Sequence, residues 1–177
     1  MCKVYLLDIE HLIFNSDLSD IDSCRAKYIN SISNKDRKKQ SYFVWKLLEY
    51  ALKVEGIKDF SFVNNNGKWQ LTNEKVKFSL SHSFNMVCVA VDNSYVGVDV
   101  EKMGDKILLL EKRYKFSNDN EDKINYLARR FTEEEAIFKA NNKGNVISFI
   151  VNDNKEKKYS LSVCTDGDVE LIKINSL

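Results

Sequence analysis

The chain has 177 residues, 44% hydrophobic and 30% charged, with a formal net charge of +1. This is the balance of a globular protein with length for one sizeable core or two small lobes, and it provides no global field for nucleic acid, so any anion site must be local. Cys2, Cys24, Cys88 and Cys164 form no C-x-x-C pair, which argues for reduced intracellular thiols over zinc or redox chemistry, and no apolar run approaches the ~18 residues of a membrane span.

The opening MCKVYLLDIEHLIF lacks a small-residue cleavage site and reads as a buried strand, Lys3–Ile9. Asp22–Ser31 reads as a short helix. Asn34 is placed to cap a longer helix from Lys35 to about Val54, ended by Gly56 and carrying the stripe Val44, Leu47, Leu48, Ala51 and Leu52. Phe60–Val63 is a short strand, and Asn64-Asn65-Asn66-Gly67 is a turn signal. Strands follow at Lys77–Ser81, Met86–Val91 and Tyr95–Val100, with Asp92-Asn93-Ser94 expected as a hairpin turn between the last two. A short helix at Ile107–Lys112, a loop at Phe116–Glu121 and a helix from about Asn120 to Asn141 come next. The chain finishes with strands at Val146–Val151, Lys158–Val163 and Val169–Ile174. Helices followed by strands thus occur twice. The expected class is α+β, in two similar lobes, 1–95 and 96–177, each a small mainly antiparallel sheet with a long helix.

The chemistry concentrates in FSLSHSFNMVCVAVDNSYVGVDVEK, Phe78 to Lys102. Asp99 and Glu101 are two residues apart on one strand and so point to one side. Taken alone, they also fit the polar face of an amphipathic strand whose valines pack inward. On the second long helix, Glu135 falls in the stripe of Ile124, Leu127, Ala128, Phe131 and Phe138. A core-facing carboxylate must be paired, protonated or bound to a metal. The plain reading is a helix pair with Lys139, one turn on. Three carboxylates from separate elements instead suit Mg²⁺, which binds one or two protein carboxylates plus phosphate oxygens. His82 lies between Ser81 and Ser83 at a strand end. A hydrolase using either serine lacks the G-x-S-x-G elbow. Lys35-Asp36-Arg37-Lys38-Lys39 puts positive charge at a helix start, which a bound anion would offset. Lys68, after the Asn/Gly turn, is a further loose cation.

These pieces resemble, in order and spacing, the 4′-phosphopantetheinyl transferases of the two-lobed type that activates surfactin synthetase. Phe78-Ser79-Leu80-Ser81-His82-Ser83 is similar to that family's F-(N/S)-x-S-H-S strand, and Val96-Gly97-Val98-Asp99-Val100-Glu101 to its (I/V)-G-(I/V)-D-(I/V)-E motif. Phe131 to Lys139 resembles its W-x-x-K-E-(A/S)-x-x-K helix, with Glu134 where lysine is usual and Phe131 where tryptophan is common. Trp69 stands where proline is usual.

The resemblance implies a pseudo-dimer of two α+β lobes with coenzyme A between them. The arm would pass from coenzyme A to a serine of an apo acyl or peptidyl carrier protein in the cytoplasm, with no role for nucleic acid or membrane. Asp99, Glu101 and Glu135 would hold Mg²⁺ against the pyrophosphate, and Glu135 would also be the base for the carrier serine. His82 and Lys139 would contact the pyrophosphate, with Ser81 in the same strand. Lys39 and its neighbours would meet the 3′-phosphate, and Lys68 would line the nucleotide pocket. A two-lobed chain supplies the paired site alone, as a monomer would. A degenerate relative that binds coenzyme A or a carrier without transfer is the competing expectation.

Overall fold

In the computed structural model, four layers stack as helix, sheet, sheet, helix. The structure describes residues 1–58, 60–65, 67–72, 76–116 and 121–177. The first sheet has the order β4 (Lys77–Ser83), β5 (Met86–Asp92), β1 (Cys2–Asp8), β9 (Val169–Ile174). The second has the order β6 (Gly97–Lys102), β8 (Lys158–Thr165), β7 (Asn145–Asn152). A separate hairpin joins β2 (Phe62–Asn65) to β3 (Lys68–Leu71). The helices are α1 (Ser23–Ser31), α2 (Lys35–Val54) and α3 (Lys123–Lys139), with a 3₁₀ helix at Asp105–Lys112. The class is α+β. Among the described residues no helix is long and apolar enough to cross a membrane.

Local chemistry sets the helix starts. Asn34 caps α2, its Oδ1 accepting from Arg37 N at 2.9 Å. Asp22 does the same for α1 and Asp122 for α3. The α2 stripe of Val44, Leu47, Leu48, Ala51 and Leu52 packs on Tyr5, Leu7, Val87 and Val89 of the first sheet. The other face of that sheet, with Val4, Leu6, Cys88 and Ala90, packs on Val98, Val100, Leu161 and Val163 of the second. Strands β1 and β5 are therefore buried on both faces, which explains their unbroken apolar runs.

Three expectations change. Asp92-Asn93-Ser94 closes no hairpin. Both edges of β5 are taken, by β1 and β4, so β6 crosses to the second sheet and pairs β8. The division at residue 95 does not contain the last strand, because β9 returns to pair in parallel with β1. Lys68–Leu71, to which the sequence reading assigns no element, is a strand.

On α3 the buried face is Leu127, Ala128, Thr132 and Ala136, while Phe138 is 70% exposed. A polar residue sits in that face because Thr132 Oγ1 bonds Ser160 and Ser162 hydroxyls at 3.0 and 2.7 Å. Glu135 is consequently half-buried beside the packed face, not within it. The expected loop at Phe116–Glu121, the helix start at Asn120 and Asn66 of the turn fall wholly or partly outside the described residues.

Candidate active site

The two motif strands meet edge to edge, joined by serine side chains. Ser79, Ser81 and Ser83 occupy alternate, buried positions of β4 and face β6. Their hydroxyl oxygens accept from the N–H groups of Val98 at 3.0 Å, Val100 at 3.3 Å and Lys102 at 3.0 Å. A serine hydroxyl also has a proton to give. Ser81 donates to Asp99 Oδ1 at 2.7 Å and Ser83 to Glu101 Oε1 at 2.9 Å. Each carboxylate is thus aimed by the serine opposite it. Burial pushes the Glu101 carboxyl above its ordinary range, and the Asp99 charge adds to the rise.

Lys139 enters from the last turn of α3. Its Nζ donates to Leu80 O on β4 at 3.3 Å, to Val98 O on β6 at 3.0 Å and to Asp99 Oδ1 at 2.7 Å. Gly97 makes this reach possible. A Cβ there would lie 1.9 Å from the Ala136 carbonyl oxygen and 2.7 Å from Ala140 N. Only a residue without a side chain lets the helix lie this close to the strand.

Lys139 lines two cavities. One, of about 440 Å³, is basic: Arg25, Arg37, His82 and Lys139 face it, with Ser41 and Tyr28. Arg25 is buried, 6% exposed, and among the described residues has no carboxylate partner. Its guanidinium stacks 4.8 Å from the Tyr28 and Trp45 rings and bonds only Ser41, leaving Nε without a partner. Burial holds its pKa down at about 10. A charge taken out of water without an ion partner is costly, and an anion in the cavity would compensate it. His82 faces the same space. Surrounding protein, and then the charges of Lys139 and Arg25, push its pKa down to about 4, so the ring is neutral near pH 7. The second cavity, of about 320 Å³, is aromatic, with Trp69, Phe78 and Tyr95 beside Lys68 and Lys143. Lys68 Nζ donates there to Asn141 Oδ1 at 2.9 Å.

Thus Asp99, Glu101, Ser81 and Lys139 come together, and His82 borders the basic cavity. Glu135 does not join them. It lines another cleft, with Arg113, Arg130 and Glu133. Among the described residues no three His, Cys, Asp or Glu side chains gather closely enough to hold a metal. Asp99 and Glu101 nonetheless fit Mg²⁺ as a two-carboxylate set, since each keeps one oxygen outside its serine bond and that ion takes its remaining ligands from water and phosphate. Lys39 also lies elsewhere, bonding the Glu10 carbonyl at 3.2 Å and facing the cleft around Phe84. Glu134 is paired, with Arg113 Nη2 at 2.6 Å and with the Tyr114 hydroxyl, and these contacts hold its pKa below the ordinary range.

Sequence reasoning passed over Arg25, named Arg37 only among the basic residues at the start of α2, and gave Ser79 no role of its own. A signal existed for Arg25. It falls four residues after Ile21 and four before Ile29, both buried, so it occupies the apolar face of α1. No protein-family model matches the chain, and no curated protein matches its sequence.

Proposed function

We propose that the protein is a 4′-phosphopantetheinyl transferase that moves the arm of coenzyme A to a serine of an apo carrier protein. The observation that carries this reading is the position of Lys139. It lines both a basic cavity suited to phosphates and an aromatic one suited to a purine ring, and it touches Asp99 of the carboxylate pair. Arg25, Arg37 and His82 would receive phosphate oxygens, and Trp69 and Tyr95 would flank the base. Asp99 and Glu101 would hold Mg²⁺, which supplies charge neutralisation at the pyrophosphate when bound.

In the reaction the carrier serine Oγ forms a bond to phosphorus, and the phosphorus–oxygen bond to 3′,5′-ADP breaks. The serine proton would leave to water held at the Glu101 carboxylate. Lys139 and the arginines offset charge developing on the leaving diphosphate.

A second reading, binding of coenzyme A without transfer, draws on the separation of Glu135 from the other acids. Incubation with coenzyme A, Mg²⁺ and several apo carriers, followed by mass spectrometry of the carriers, separates the two. Transfer gives a carrier heavier by one phosphopantetheine. Coenzyme A binding with no mass gain on any carrier supports the second reading and rejects the first.

A further inference from the structure

Phe84 and Asn85 turn the chain between β4 and β5. Phe84 holds φ at +52°, a left-handed conformation that bulky residues avoid and glycine adopts freely. Gln40 Nε2 donates to its carbonyl at 2.7 Å and fixes the turn. Phe84 as a whole is 47% exposed. Two ammonium groups lie over its ring, Lys102 Nζ 3.7 Å from the centre and Lys157 Nζ at 4.9 Å. Phe84 directly follows Ser83, the residue that aims Glu101. With Glu101, Lys102 and Lys106 it lines a cleft of about 770 Å³.

The fold gains little from phenylalanine here. Glycine would relieve the backbone and remove apolar surface from water. The cleft carries acids as well, Glu10, Asp36, Glu101 and Asp105, but none of them pairs with Lys102 or Lys106 among the described residues. Glu10 is taken by Lys155 and Lys157, and neither Lys102 nor Lys106 has an ion-pair partner among the described residues. An exposed aromatic residue in a cleft with Lys102 and Lys106, neither of which has an ion-pair partner among the described residues, complements a partner surface that is acidic around an apolar centre.

We infer that Phe84, with Lys102 and Lys106, is the point where the acidic apo carrier protein docks, setting an apolar side chain on the ring and carboxylates on the lysines. This rests on the transferase reading above. It places the carrier next to Glu101, on the side of β4 and β6 where the serine must arrive.

The test uses the full chain, with Phe84→Gly and Lys102→Glu assayed on an apo acyl carrier and an apo peptidyl carrier at saturating coenzyme A. The carrier KM rises about tenfold or more in each variant, a single strong contact's worth. The kcat stays within about twofold and the calorimetric Kd for coenzyme A is unchanged, since a docking contact acts on carrier binding alone. A carrier KM unchanged in both variants overturns the docking surface and leaves the transferase reading intact. Should the wild type transfer no arm, fluorescence anisotropy of the same labelled carriers decides. Binding that Phe84→Gly abolishes supports the surface. Absence of binding by the wild type, or equal binding by the variant, rejects it.

Discussion

Lys139 Nζ lies 2.7 Å from Asp99 Oδ1, and Asp99 is buried, so the ammonium holds a nearly dry carboxylate in place. Removing the lysine strands that charge. Lys139→Ala is expected to cost about 2–3 kcal/mol, below the about 3–5 kcal/mol of a fully buried pair, because Lys139 retains contact with water. Asp99→Asn keeps an acceptor for both Ser81 and Lys139 and costs about 1 kcal/mol. Asp99→Asn is therefore the better functional probe, whereas Asp99→Ala confounds loss of a ligand with loss of the fold. Urea denaturation of the three variants gives the order, and a more stable Lys139→Ala than Asp99→Asn would contradict it.

Gly97→Ala tests whether α3 must lie against β6. The added methyl meets backbone, which cannot rotate away, so the helix itself must shift. A loss of about 3 kcal/mol or more is expected, at or beyond the usual limit for overpacking. Lys139 moves with the helix, so coenzyme A affinity falls as well. A variant with wild-type stability in denaturant melts would show that the helix has room the structure does not give it.

Arg25→Met separates stability from binding. Methionine keeps apolar packing on Tyr28 and Trp45 and removes a buried cation that has no carboxylate partner among the described residues. Its melting temperature is expected to equal or exceed the wild type's. Its Kd for coenzyme A weakens at least about tenfold, equivalent to about 1.4 kcal/mol. Calorimetry with coenzyme A, and with inorganic phosphate as a smaller probe, measures this. Unchanged affinity for both would remove Arg25 from the anion site.

His82 provides a pH-dependent readout. Its folded pKa of about 4 lies below the ordinary 6.5. The unfolded chain therefore binds more protons through that interval. The stability that comes from keeping the ring neutral is complete above about pH 6.5 and is lost as pH falls toward 4. An anion among Arg25, Arg37 and Lys139 raises the His82 pKa, so coenzyme A affinity increases as pH drops into the titration range of the complex. NMR titration of the imidazole, with and without coenzyme A, reads the shift. A pKa that does not rise on binding places the anion elsewhere.

The parts of the site legible in the sequence are those governed by strand alternation. Asp99 and Glu101 share a face because they are two apart, and Ser81 and Ser83 meet them by the same rule. Asn34, as a cap, was equally local. Lys139's partner was not legible. Helix spacing offers it Glu135, but the contact with Asp99 depends on how closely α3 lies on β6, and that is set by Gly97 on a different element. The stripe drawn through Phe138 failed for a related reason. Hydroxyl groups on β8 satisfy Thr132 in the core, and no property of α3 alone announces them. Arg25 was legible in principle, as a charge on an apolar face, but its neighbour Ser41 and the cavity depend on α1 meeting α2.

The path of β9 bears on how the molecule is made. The first sheet holds the N-terminal strand in its interior, yet the neighbour on one side of β1 is the last strand of the chain. During synthesis, β1 and β5 can pair early, but one side of β1 stays open until every intervening element has emerged. Cys2–Asp8, apolar on both faces, is exposed along that side until β9 has been synthesised, which makes it a segment that chaperone cover would protect. A chain severed near residue 95 would regain a complete first sheet only by recapturing its own C-terminal fragment.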